Sequence, residues 1–232
     1  TELKQVSKSY AREKLGIKNN EHVVLFFGFV NWFKGADKFV SYFHKTSRLL
    51  GRKTRFIIAG GESATLAQKD YYQRFYTDVK NKIKSSKNME ITGFVPQKKI
   101  PLYFSVCDLV VFPYRSFISA SGVLSLVFSY KKPFIVSSDI EGMLGATDIH
   151  IALDEVGLKR EDLVFDINNG NCLDLTEKVL QNGIKKKMVS LSQIIREQRD
   201  WNKTAIIYEQ VIFAPAYNRS ISPALALRYA KE

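Results

Sequence analysis

Short apolar runs alternating with longer stretches of helical period constrain the fold of this chain more than any other feature. Residues 23–28, 54–59, 89–92, 108–112 and 134–136 are brief and almost wholly apolar, the composition of strands covered on both faces. Between them, 35–50 carries Phe39, Phe43, Thr46 and Leu50 at three- and four-residue steps, and 67–84 carries Tyr71, Phe75 and Val79. Both spacings predict a helix. Pro101 suits the first turn of another helix over 98–106. Strand, loop and helix repeat in that order, which predicts an α/β fold with a doubly wound, Rossmann-like parallel sheet.

No internal repeat, low-complexity tract or flexible linker interrupts this pattern, so 1–213 reads as one domain. It opens with a polar helix over 1–15 that ends near Gly16. Pro215 and Pro223 mark 214–232 as a C-terminal appendage. Residues 141–159 mix glycine, aspartate and short apolar pieces and support no element assignment.

The apolar runs fall far short of the roughly 20 residues that cross a bilayer, and no charged-then-apolar leader opens the chain, so a cytoplasmic protein is expected. Two cysteines, Cys107 and Cys172, give neither a disulfide framework nor metal-ligand spacing and read as free thiols. His22, His44 and His150 are scattered, and no metal is expected. The Walker and G-x-G-x-x-G patterns are absent. Lys and Arg total 35 against 23 acidic residues, a formal charge of +12, which raises a polyanionic partner. A nucleic-acid module needs basic residues interleaved with aromatics on one face, and here the aromatics fall at core spacing, so no nucleic acid is expected.

Ligands of an open parallel sheet bind beyond the carboxyl ends of its strands. The first strand ends at Gly28, and its loop runs through Lys34 to Gly35, which opens the next helix. A glycine turn, a lysine and a helix N-terminus suit an anion; a tight turn with a solvated lysine fits the same residues. Gly60-Gly61 follows the second strand. Past the fourth, Pro113-Tyr114-Arg115 leads to Ser119-Ala120-Ser121-Gly122-Val123-Leu124, a helix start whose predicted apolar face is Val123, Leu126, Val127 and Tyr130. Its N–H groups form a phosphate cradle, or else Ser121 is an ordinary cap.

At these loops the chain resembles the C-terminal, nucleotide-sugar-binding domain of GT-B-type retaining glycosyltransferases, the glycosyltransferase group 1 family. The matching pieces are Phe27-Gly28 with Lys34-Gly35, Ile57-Ile58-Ala59-Gly60, Gly93-Phe94-Val95-Pro96, Asp108 to Arg115, Ser121-Gly122-Val123-Leu124, Lys132-Pro133, Ser138-Asp139 and Asp200-Trp201-Asn202. Their order and spacing carry the likeness. It implies a hexosyltransferase donor site in which Lys34 meets the phosphates, the backbone of Phe94, Val95 and Pro96 meets the base, and the N–H groups of Ser121, Gly122 and Val123 hold the distal phosphate. It also implies a preceding acceptor domain outside this chain and a sugar or lipid-linked acceptor, and the basic balance of the chain predicts a peripheral attraction to anionic membranes. The 1–15 helix then follows an interdomain linker, and the segment from Trp201 crosses back toward the other domain.

Two departures stand out. Many members carry arginine after the glycine equivalent to Gly28, where this chain has Phe29, so Lys34 or Arg115 is expected to supply the missing charge. Many also carry a pair of glutamates eight positions apart around the loop and helix that here holds Ser119 to Val127, and this stretch has none. Retention in this class draws on the donor's own phosphate oxygens, so the protein contributes positioning and charge. The alternative reading is a non-catalytic nucleotide-binding or scaffold protein that kept the fold.

Overall fold

The computed structural model describes residues 5–116 and 121–213. Its centre is β1 (His22–Phe27), buried over almost its whole length and paired in parallel with β3 (Arg52–Ala59) on one side and β5 (Leu109–Phe112) on the other. β4 (Met89–Ile91) extends the sheet beyond β3, and β6 (Phe134–Ser137) and β7 (Val164–Phe165) extend it beyond β5. Counting only these six parallel strands, their order is 3-2-1-4-5-6, the dinucleotide-fold order whose direction of winding reverses between β1 and β5. The fold class read from the alternating pattern is the one observed.

Helices cover both faces. α2 (Ala36–Phe43) buries Phe39, Val40 and Phe43, and Phe43 stacks on Phe56 of β3 with ring centroids 4.7 Å apart. α3 (Asp70–Lys84) follows β3, and α4 (Ile100–Val106), with Pro101 in its first turn, follows β4. α1 (Lys8–Lys14) precedes β1, and α5 (Gly122–Ser129) follows β5. α6 (Thr147–Val156), α7 (Cys172–Leu180), α8 (Asn182–Gln198) and α9 (Trp201–Phe213) complete the described residues. Cys107 and Cys172 are both free and buried.

Several expectations need correction. The helix predicted over 35–50 stops at Phe43, because the chain turns at Leu50 (φ 49°) and Gly51 (φ 74°) to pair β2 (Arg48–Leu49) antiparallel with the start of β3. Cross-strand pairing there overrides the helical period, and Leu50 is exposed. α3 buries Tyr72, Val79 and Ile83 and leaves Tyr71 exposed, one residue out of the predicted phase, because the Tyr72 hydroxyl is needed inside: it accepts from Ser63 N–H (2.6 Å) and donates to the Val30 carbonyl (2.8 Å). α5 buries Leu124, Val127 and Phe128, with Val123 and Leu126 only half-buried. Residues 141–159 hold most of a 3-10 stretch (Ser138–Leu144) and all of α6. The first predicted helix is shorter at its start, α1 being capped by Ser7. The readings of Ser119 and Ala120 as a helix start and of 214–232 as an appendage lie outside the described residues.

Candidate functional site

The loops after β1 and β5 meet at the point where the winding reverses, and backbone and side-chain bonds hold them together. Arg115 N–H donates to the Phe33 carbonyl at 2.8 Å, and its guanidinium donates to the Trp32 carbonyl at 2.8 Å. The loop after β3 joins them through Val30 N–H to Gly61 O, 2.9 Å. Two glycines are required by this crowding. Gly35, at φ 65°, is the N-cap of α2, and a Cβ on it would come within 1.7 Å of the Pro113 carbonyl oxygen. A Cβ on Gly60 would come equally close to the Gly28 carbonyl oxygen.

Lys34 stands in the loop after β1 with its ammonium partly buried. Its backbone N–H donates to Asn31 Oδ1 (2.8 Å), fixing the turn, and among the described residues its ammonium has no carboxylate partner. Burial pushes its pKa down, the response of a charge lifted from water without compensation. Nζ lies 5.9 Å from the centre of the Tyr114 ring. Among the described residues the buried hydroxyl of Tyr114 has no hydrogen-bond partner of good geometry; it lies beside Ser121, whose Oγ already accepts from Leu124 N–H (3.2 Å). Tyr114 therefore lies between Lys34 and the first turn of α5. There the N–H groups of Gly122 and Val123 lack backbone partners among the described residues, as the first turn of a helix must, and no atom of the described residues lies within 4 Å of a Cβ placed on Gly122.

Arg115 is placed differently from the phosphate-facing cation expected of it. Both ends of its guanidinium bind Asp37 at 2.7 and 2.6 Å, and its plane lies 4.8 Å from the Trp32 ring. It pins the β1 loop to α2. Sequence reasoning placed Trp32 in the loop after the first strand without a role of its own and gave Asp37 none, and no local pattern pairs either with Arg115. Tyr114 stood within the quoted Pro-Tyr-Arg run, but its place under Lys34 depends on folding.

After β4, Gly93 takes φ 75°, Phe94 is 72 % exposed, Val95 is buried and Pro96 caps the next turn. This loop packs against Gly61, where an added Cβ would meet Phe94 N at 2.7 Å. The three predicted stations, Gly28 to Gly35, Phe94 to Pro96 and Ser121 to Val123, thus share the carboxyl edge of the sheet. The described residues hold no group of three or more metal-ligating side chains, and no helix there is long and apolar enough to cross a membrane.

A family model described as glycosyl transferases group 1 matches residues 7–145. The chain belongs to that family. No curated protein sequence matches it. Among solved structures it is similar to sucrose-phosphate synthase from Thermosynechococcus elongatus, at 16% identity and TM-score 0.65, covering 93% of this chain and 52% of that one. It is also similar to Anabaena HepE in complex with UDP and glucose, at 17% identity and TM-score 0.67, covering 90% and 54%. The C-terminal domain of LpcC, a glycosyl transferase group 1 family protein from Francisella tularensis, matches at 14% identity and TM-score 0.61, covering 85% of this chain and 95% of that one. This group 1 chain thus spans about half the length of the first two relatives and nearly all of an isolated C-terminal domain.

Proposed function

We propose that the described fold is the donor-binding domain of a retaining hexosyltransferase: it holds a nucleotide-diphosphate sugar and, with an acceptor domain on the preceding part of a longer protein, passes the sugar to an acceptor hydroxyl. The observation that carries this is that Lys34, an ammonium with no carboxylate partner among the described residues, and the start of α5 at Gly122 stand on the same edge of the sheet on either side of Tyr114, at the point of reversed winding. A diphosphate seated there supplies the anion that the buried ammonium lacks. Charge develops on that diphosphate as the glycosidic bond breaks, so Lys34 and the α5 N–H groups act where the transition state needs them. Gly28 leaves room for the ammonium, and exposed Phe94, on the loop with Val95 and Pro96, offers a face for the base. Arg115 contributes indirectly, by holding the Trp32 turn against Asp37.

UDP is the preferred nucleotide in this reading, since the similar HepE structure carries UDP and glucose and another relative is a UDP-forming trehalose-phosphate synthase. Titrating the chain with UDP and with GDP tests the proposal. Saturable binding of UDP that is lost in Lys34→Ala is expected, and binding of neither nucleotide would favour a scaffold that kept the fold. The charge of +12 further supports a lipid-linked acceptor at an anionic membrane. Flotation with anionic vesicles at physiological salt checks that, and protein left wholly at the bottom of the gradient refutes it.

A further inference from the structure

The opposite edge of the sheet carries a second concentration of charge that the donor reading does not use. A cavity of about 400 Å³ opens at the amino ends of β1, β3 and β5, lined by Lys8 and Arg12 of α1, Lys185 of α8, Arg52, His22 and Asp108. Asp108 is 4 % exposed, and one of its oxygens accepts from both Lys8 and Lys185 at 2.8 Å while the other accepts from Val23 N–H at 3.0 Å. Each ammonium has three protons and gives one to Asp108, so two on each remain for the cavity or water. Arg52 is exposed and forms no ion pair among the described residues. Burial first, then the charges of Lys185, Arg52 and Lys8, hold the His22 imidazole toward its neutral form against the pull of Asp108.

Four cations, Lys8, Arg12, Arg52 and Lys185, thus face two carboxylates, Asp108 and Glu21, and Glu21 is already engaged by Arg55 at 3.4 Å. The lining is left with two positive charges and unspent N–H donors converging from α1, β3 and α8. A tetrahedral dianion matches both the charge and the donors.

We propose that this cavity is an anion site separate from the donor site, taking the phosphate group of a phosphomonoester or of inorganic phosphate. A bound phosphate would tie α1 to α8 and the start of β3, and so stiffen the edge from which α1 leads into β1. The inference stands independently of the donor reading, since no residue is shared between the two.

The test is an NMR titration of the full chain with inorganic phosphate at constant ionic strength, following the His22 imidazole, in wild type, Lys34→Ala and Arg52→Glu. A saturable His22 shift is expected in wild type and in Lys34→Ala, with affinity about tenfold weaker in Arg52→Glu, whose reversed charge sits at an exposed position that the fold tolerates. Phosphatidylcholine vesicles with and without phosphatidic acid form the second arm. A response to phosphatidic acid and not to free phosphate assigns the site to a lipid headgroup. A His22 response to neither probe, an equal affinity in Arg52→Glu, or loss of the response in Lys34→Ala would each overturn the proposal.

Discussion

The ammonium of Lys34 lies directly above Gly28: a Cβ placed on Gly28, whose φ is 118°, would come within 2.7 Å of Lys34 Nζ. The glycine that ends β1 therefore keeps clear the position of the cation six residues later. Because that cation is partly buried and uncompensated, its effects on binding and on stability should have opposite signs.

Lys34→Ala is expected to weaken UDP binding by about 1.5–3 kcal/mol, the size of one charge-assisted phosphate contact. Lys34→Met, which keeps the bulk and removes the charge, should weaken binding similarly and raise the melting temperature at neutral pH. The sign follows from the lowered pKa: below it, the folded protein holds Lys34 charged at a cost that the unfolded chain escapes in water. Calorimetric titration and thermal melts read both quantities, and unchanged affinity in both variants would remove Lys34 from the site.

Glycines 35 and 122 should behave in opposite ways. Gly35→Ala forces a Cβ into the Pro113 carbonyl at a left-handed φ, and is expected to destabilise the fold by about 3 kcal/mol or more. A Cβ on Gly122 meets nothing within 4 Å among the described residues, so Gly122→Ala should leave stability within about 1 kcal/mol of wild type. Gly122→Val should abolish UDP binding by obstructing approach to the α5 N–H groups. A Gly122→Val protein that melts early yet binds UDP normally would mark that glycine as structural.

Breaking the ion pair of Arg115 and Asp37 should loosen the loop that presents Lys34. Arg115→Ala is expected to lower stability by about 1–3 kcal/mol, since both partners are largely covered and Asp37 is left uncompensated. A double-mutant cycle with Asp37→Ala measures the coupling, and near-additive losses would show that the two side chains act independently.

Asp108 should control the acid limb of stability. Burial alone would raise its carboxyl pKa, but Lys185 and Lys8 outweigh that and hold it at about 2. The folded pKa lies below the unfolded one, so the contribution is present above about pH 4 and is lost as pH falls toward 2. It amounts to about 2 kcal/mol. Asp108→Asn should remove that acid step, and should cost about 3–5 kcal/mol at neutral pH by leaving the cations of α1 and α8 around a neutral group. Urea unfolding as a function of pH reads both effects.

The sequence by itself determined the parallel sheet, because strands buried on both faces are apolar over nearly their whole length, as β5 is throughout and β1 is from Val23 on. It also marked the loops after β1 and β5, since glycine, proline and serine at strand ends are local signals that need no partner to be read. Tertiary structure decided what those signals could not carry. β7 is two residues long and is a strand only because β6 lies beside it. The helical period over 35–50 gave way to a hairpin whose stability comes from pairing with β3. Arg115 and Asp37 are 78 residues apart, and their bond, which ties the loop after β1 to α2, exists only once the strands are in order. Periodicity records which face of an element is covered, and the partner of a given charge is set by distances that exist only once the strands are in order.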